Sequence, residues 1–165
     1  MTTIPRLLFV VLLVIGPAIM WATSGALPDR VATHFGADGL ANGWMTRDGY
    51  RAFMLALGTL VPLFVVVMAG LAPQFASRTV KVPHPEYWLA PARRAETLSR
   101  MLSHSCWLGS AMLVFFAGMH LLLLRANAET PPRLPEGPFI AMVVGFVVVV
   151  IVWAFALRAR FRPPG

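Results

Sequence analysis

Charged side chains are scarce in this chain. Only 13% of its 165 residues are Asp, Glu, Lys or Arg, whereas 58% are hydrophobic. An average soluble domain has about 25% charged residues, and a soluble globule of this composition would expose large apolar patches and aggregate. The composition therefore argues against a soluble protein and predicts a membrane protein, with one domain expected over residues 1–165.

Cysteine is nearly absent. The one cysteine, Cys106, lies in an apolar run, so no internal disulfide and no paired-cysteine zinc site can form. Lys and Arg outnumber Asp and Glu by 14 to 7, but no basic stripe is interleaved with exposed aromatic residues. We therefore expect the excess positive charge to flank membrane spans and contact the lipid bilayer rather than nucleic acid.

Four long segments lack Asp, Glu, Lys and Arg altogether. They run from Leu7 to Pro28, Ala52 to Ser77, Met101 to Leu124 and Gly137 to Leu157. Each exceeds the ~20 residues that a helix needs to cross a bilayer. They predict an all-α membrane protein, a four-transmembrane-helix bundle with spans near residues 7–27, 52–73, 101–124 and 138–157. The first segment also resembles a signal peptide, but we expect it to remain as a membrane helix.

The charges between the spans predict an orientation. Nine Lys and Arg residues lie on the side of the two termini, and five lie on the other side. The nine are Arg6, Arg78, Lys81, Arg93, Arg94, Arg100, Arg158, Arg160 and Arg162. Because Lys and Arg accumulate in cytoplasmic loops, we expect cytoplasmic termini, a cytoplasmic segment over residues 74–100 and an outer loop over residues 28–51.

Proline and small residues inside the spans predict local geometry. Pro17 and Pro62 each remove a backbone donor, so helices one and two are expected to bend there. In the third span, Ser105 and Gly109, like Cys106 and Ser110, are four residues apart. This small-residue spacing is typical of closely packed membrane helices.

The outer loop is expected to be structured. Residues 31–35 alternate in the manner of a short strand, and the glycines of 36–39 and 42–43 predict tight turns. Phe35 and Trp44 are costly to leave in water. We therefore expect the loop to fold back on the bundle as a compact cap.

The cytoplasmic segment carries a second aromatic and basic cluster. Tyr87 and Trp88 have amphipathic rings that settle at a membrane interface. Pro91 suits the first turn of a helix, which is expected to continue into the third span. Arg93 and Arg94 would then lie beside anionic lipid, or form a docking site for a cytoplasmic partner.

The outer loop also resembles the signature of a bacterial membrane family whose domain forms the N-terminal part of SdpI-type immunity proteins. Its marked positions are Pro28, His34, Phe35, Gly39, Trp44 and Arg47, and the stretch Tyr87-Trp88-Leu89-Ala90-Pro91 with Arg94 resembles a segment of short family members. The resemblance implies the bacterial cytoplasmic (inner) membrane and a role in immunity or signalling against a secreted toxin. Full-length SdpI-type proteins have further spans, whereas these 165 residues are expected to form four.

Enzyme chemistry finds no support in the motifs. There is no Ser-His-Asp arrangement, no Gly-rich phosphate loop and no His-Glu-x-x-His helix, and the spans contain no carboxylate for coupled transport. His34, Asp38 and His120 are expected on the same side of the membrane. They leave a divalent-metal site open as an alternative, although their spacing matches no local metal motif.

We therefore expect a non-enzymatic membrane protein without a cofactor that acts through protein or peptide contacts. It would be an SdpI-like immunity or sensing factor, or an accessory subunit of a membrane complex. His34, Trp44 and Arg47 would form the outer recognition surface, with Arg93 and Arg94 the inner one. The alternative is that these residues only hold the loops in place.

Overall fold

The computed structural model describes residues 3–75 and 82–162. Arg78 and Lys81, which contribute to the predicted orientation, lie outside the described residues. In chain order the elements are α1 (Thr3–Thr23), a 3₁₀ turn (Ser24–Ala26), β1 (Arg30–Phe35), β2 (Ala41–Thr46), α2 (Arg47–Val66), a π-helical segment (Val67–Leu71), α3 (Ala72–Phe75), α4 (Pro85–Trp88), α5 (Pro91–Ala128) and α6 (Glu136–Arg160).

Four of the helical stretches are long and apolar enough to cross a membrane, as predicted. They are Thr3–Ala26, Arg47–Phe75, Pro91–Ala128 and Glu136–Arg160. The 38 residues of α5 correspond to about 57 Å at 1.5 Å per residue, well beyond the ~30 Å of a hydrocarbon layer. As expected from the sequence, α5 begins at Pro91 and continues without a break into the third span.

The chain is mostly helical, as predicted, and the short strand expected over residues 31–35 lies within β1, which pairs with β2 in a two-stranded antiparallel hairpin. The α2 helix also starts at Arg47, five residues before the predicted span. Thr46 explains this early start, since its hydroxyl accepts a hydrogen bond from the Gly49 amide at 3.1 Å and caps the helix. The segment between the first and second long helices is therefore a hairpin followed directly by the first turn of α2.

One of the two predicted turns forms. Gly39 has a φ of +76°, and its amide bonds to the Gly36 carbonyl at 3.0 Å, which closes the hairpin turn. The turn predicted at Asn42-Gly43 was wrong, because both residues belong to β2. Gly43 instead lies opposite His34 at an irregular point in the strand register, where an added Cβ would come within 3.0 Å of the His34 Cβ.

The α5 helix is the central element of the bundle and packs against α1, α2 and α6. Buried apolar side chains form two clusters along it. At the hairpin end the cluster consists of Leu27, Val31, Tyr50, Met54 and Leu123. Nearer the termini it consists of Phe9, Val66, Cys106 and Leu113. By contrast, α6 has no buried residue and packs on the outside of α5.

Gly109 confirms the predicted close approach of helices at small residues. A Cβ at this position would lie 2.6 Å from Val66 Cγ2 and 2.7 Å from Phe9 Cε2. Both neighbours belong to the buried cluster nearer the termini and have little room to move. A glycine here lets α1 and α2 both contact α5.

We expect Gly109→Ala to lower the free energy of unfolding by about 1–3 kcal/mol, because the added methyl overpacks the junction of three helices. Gly145→Ala on α6 is the matched control. Its Cβ would meet no atom within 4 Å, so the change should be neutral or stabilising by up to about 1 kcal/mol. Thermal unfolding in detergent measures the melting temperatures of the two variants. Equal melting temperatures would contradict the packing argument.

Candidate functional site

The base of the hairpin is fastened to the bundle by Arg47. Its Nη2 lies 2.8 Å from Asp29 Oδ1, its Nη1 donates to the Leu27 carbonyl at 3.0 Å, and its backbone amide donates to the Asp29 carbonyl at 2.9 Å. These bonds join the start of β1 to the start of α2. The geometry therefore indicates that Arg47 holds the loop in place, and it favours this role over the recognition of a partner.

The outer edge of β1 is paired with a side chain instead of a third strand. The Asn127 Oδ1 of α5 accepts from the Ala32 amide at 2.7 Å, and its Nδ2 donates to the Ala32 carbonyl at 3.0 Å. The same Nδ2 also bonds the Leu123 carbonyl one turn earlier. A planar side-chain amide offers a donor and an acceptor as a backbone peptide does, so Asn127 satisfies this buried strand edge.

The tip of the hairpin is tied to the connection between α5 and α6. Leu134 donates its amide to the Gly39 carbonyl at 3.0 Å, and Ala41 donates to the Pro132 carbonyl at 3.3 Å. Leu40 and Arg133 also form an antiparallel bridge. The hairpin is thus held at its base, at its outer edge and at its tip.

A pocket of about 440 Å³ lies between the hairpin, α5 and the start of α6. Its lining includes three of the six marked positions, His34, Phe35 and Gly39. Apolar side chains from α5, α6 and the link between them complete the wall, namely Met119, Leu123, Leu134, Phe139 and Ile140. His34 and Glu136 are the ionisable side chains in this lining, and both are exposed. The volume and the mostly apolar wall are those of a ligand pocket.

The other marked positions, Pro28, Trp44 and Arg47, do not line this pocket. Trp44 is 44% exposed, and the Arg30 guanidinium lies 5.6 Å from the centre of its ring. Leu40 at the turn is also exposed. Pro28 is exposed in the link that precedes β1. The hairpin therefore presents apolar surface on its solvent side as well as along the pocket.

His120 is fully buried where α1, α2 and α5 meet. Its Nε2 lies 2.7 Å from Thr23 Oγ1, and its Nδ1 lies 2.8 Å from the Tyr50 hydroxyl. Thr23 donates its single hydroxyl proton to the Ile19 carbonyl at 2.7 Å, so its oxygen accepts from His120. A neutral imidazole with its proton on Nε2 then leaves Nδ1 to accept from Tyr50, and every group has a partner.

This arrangement does not favour the metal site considered from the sequence. Both ring nitrogens of His120 are engaged by hydroxyl groups, whereas His34 is exposed on the hairpin and Asp38 Oδ1 accepts from the Leu40 amide. Within residues 3–75 and 82–162, no three His, Cys, Asp or Glu side chains come together as metal ligands. The structure does not bring His34, Asp38 and His120 into one group.

The second predicted surface is built around Trp88. Its Nε1 donates to the Phe161 carbonyl at 3.2 Å, and its own carbonyl accepts from the Thr97 hydroxyl at 2.8 Å. Tyr87 lies under the guanidinium of Arg93 at 4.0 Å from the ring centre. Trp88 therefore joins the α4–α5 corner to the end of α6, while Arg93 is exposed and Arg94 is half-buried beside it.

The fold and the pocket define a small protein with four helices of membrane-spanning length and a clamped hairpin at one end of the bundle. Residues 8–60 match a family model described as a domain of unknown function, DUF1648. The match covers 53 of 165 residues and includes the six marked positions, but not the α5 and α6 walls of the pocket. No curated protein and no solved structure matches the chain.

Several residues of this site were missed by sequence reasoning. Glu136 and Phe139 reach the pocket from about 100 positions beyond the hairpin, and nothing near them in the sequence marks that contact. The sequence predicts Tyr50 in the loop over residues 28–51, but Tyr50 is buried and hydrogen-bonded to His120. Asn127 could have been identified from the sequence, because an amide side chain at the end of an apolar helix requires a hydrogen-bond partner.

We expect Tyr50→Phe to lower the free energy of unfolding by about 1 kcal/mol, because it leaves the buried His120 Nδ1 without a donor. The chain has only one other tyrosine, and Tyr87→Phe is the matched control. Its ring contacts with Arg93 and Trp88 do not need the hydroxyl. Chemical unfolding in detergent compares the two, and an equal loss in both variants would refute a specific role for the His120 bond.

Proposed function

We propose that this protein is a non-enzymatic integral membrane protein that binds a protein or peptide partner at the hairpin pocket. The observation that carries the proposal is the joint lining of this pocket by His34, Phe35 and Gly39 with α5 and α6. An apolar side chain of the partner would fill the pocket. His34 and Glu136 would bond its polar groups at the rim.

The clamped hairpin supports this proposal energetically. A free loop would lose conformational entropy on binding, whereas a hairpin already bonded at Arg47, Asn127 and Leu134 loses little. Exposed Trp44 and Leu40 extend the apolar surface beside the pocket. Aromatic anchors next to a pocket are typical of binding hot spots.

We further propose that the hairpin lies outside the cytoplasm and both termini inside it, in a bacterial cytoplasmic membrane. The nine-to-five distribution of Lys and Arg supports this orientation. The partner would then be a secreted peptide or the outer face of a neighbouring membrane protein. This fits an SdpI-like immunity or sensing factor, or an accessory subunit of a membrane complex.

Site-specific photo-crosslinking in living cells tests the binding proposal. A benzophenone amino acid at Ala37, which is exposed and lines the pocket, should give a discrete adduct. The same group at Gly25 is the matched control at this end of the bundle, where an added side chain meets no atom within 4 Å. We expect the Ala37 adduct to weaken severalfold with His34→Ala or Glu136→Gln and to persist with Asp48→Asn.

Adducts of equal intensity at Ala37 and Gly25, or an Ala37 adduct indifferent to His34→Ala, would overturn the pocket as the binding site. Identification of the adduct by mass spectrometry then distinguishes a secreted peptide from a membrane subunit. This separates the two proposed roles.

Cysteine accessibility tests the orientation. The native Cys106 is buried, so a cysteine placed at an exposed position is the principal target for a membrane-impermeant maleimide. We expect Ala37→Cys to be labelled on intact cells and Arg93→Cys only after permeabilisation. The reverse pattern would place the hairpin in the cytoplasm.

A further inference from the structure

A long groove lies on the side of the bundle away from the His120 cluster. It has a volume of about 1000 Å³ and is walled by α5, α6 and the start of α1. On α5 it extends from His104 to Gly118, which is about 21 Å along the helix. The groove exists because α6 has no buried residue and leaves open space beside α5 and α1.

Two bonds between His104 and Trp153 hold this groove to a defined width. The Trp153 Nε1 donates to the His104 carbonyl at 2.9 Å, and the His104 Nε2 lies 3.1 Å from the Trp153 carbonyl. The two rings are stacked with centres 4.9 Å apart. Because both residues line the groove, its walls are fixed at this level before any occupant arrives.

The rest of the wall is almost entirely apolar. Leu12, Val114, Phe146 and Val149 are typical of the lining. Such a surface within membrane-spanning helices favours hydrocarbon over water. One leaflet contributes about 15 Å of the ~30 Å hydrocarbon layer, so the groove is long enough for an acyl chain of a single leaflet.

The end of the groove nearest the termini is positively charged. Arg160 lines it, is exposed, and belongs to no ion pair among the described residues. Arg158 lies two residues before Arg160, also in the last turn of α6, but does not line the groove. A cation at the mouth of an apolar groove complements a molecule with an anionic head and a hydrocarbon tail.

We propose that one phospholipid with an anionic headgroup occupies this groove as a retained structural lipid. Its acyl chain lies between α5 and α6, and its phosphate bonds the Arg160 guanidinium. The lipid completes the packing of α6, which the protein alone leaves on the outside of the bundle. The charged end of this groove, at Arg160, lies at the other end of α6 from the hairpin pocket, and the inference stands independently of the proposed function.

The test uses the full-length protein purified in detergent and native mass spectrometry with added phosphatidylglycerol or phosphatidylcholine. Wild-type protein should retain one phosphatidylglycerol, bound about fivefold more tightly than phosphatidylcholine. Arg160→Gln should abolish this preference. Arg158→Gln, which removes the same charge outside the groove, should keep it. Inorganic phosphate should neither bind measurably nor displace the lipid.

A second variant tests the groove without changing charge. Gly145 lines the groove and has no atom within 4 Å of an added Cβ, so Gly145→Leu should fill the space without a clash and expel the lipid. Retention of phosphatidylglycerol by Gly145→Leu, or equal loss in Arg158→Gln and Arg160→Gln, would overturn the proposal.

A second copy of the chain is the competing occupant. The Ser110 hydroxyl lies in the α5 wall, 4% exposed, with no hydrogen-bond partner among the described residues. A helix from another copy would supply one. If the wild type forms dimers and Ser110→Ala dissociates them, the lipid proposal is overturned. Monomers that retain one lipid in both the wild type and Ser110→Ala would support it.

Discussion

The pair of hydrogen bonds between Asn127 and the Ala32 backbone is the contact on which the hairpin end of the molecule depends. A lone two-stranded hairpin is marginally stable in water, and its buried edge would leave a peptide group without a partner. The side-chain amide of Asn127 replaces the missing strand. Because α5 carries this amide, the hairpin is positioned by the central helix of the bundle, and the pocket between them has a defined shape.

The same requirement for hydrogen-bond partners explains the other polar groups of the bundle. His120 is bonded by Tyr50 and Thr23, and His104 by Trp153, so each histidine joins α5 to a different neighbour. Polar side chains without such partners are costly inside a membrane. These two buried histidines therefore connect helices, and each belongs to one side of α5.

The two open surfaces differ in character, and the charged end of the groove at Arg160 lies at the other end of α6 from the hairpin pocket. The hairpin pocket combines an apolar wall with His34 and Glu136, which suits a partner that brings both apolar and polar groups. The groove beside α6 is longer, almost wholly apolar and closed by Arg160, which suits a lipid. The proposed recognition site and the proposed lipid site thus share α5 and α6 and differ in the third wall, which is the hairpin in the pocket and α1 in the groove.

Local sequence by itself determined the four helices long and apolar enough to span a membrane, through hydrophobicity and length. It also determined the start of α5, through Pro91, and the approach of helices at Gly109, through the spacing of small residues. The loop signature marked His34, Phe35 and Gly39. The second strand, the burial of His120 and the meeting of the hairpin with α6 were decided only by tertiary structure. The second strand depends on pairing with β1, and the other two features depend on partners about 70 to 100 residues away. No local pattern encodes which distant group will satisfy a buried polar atom.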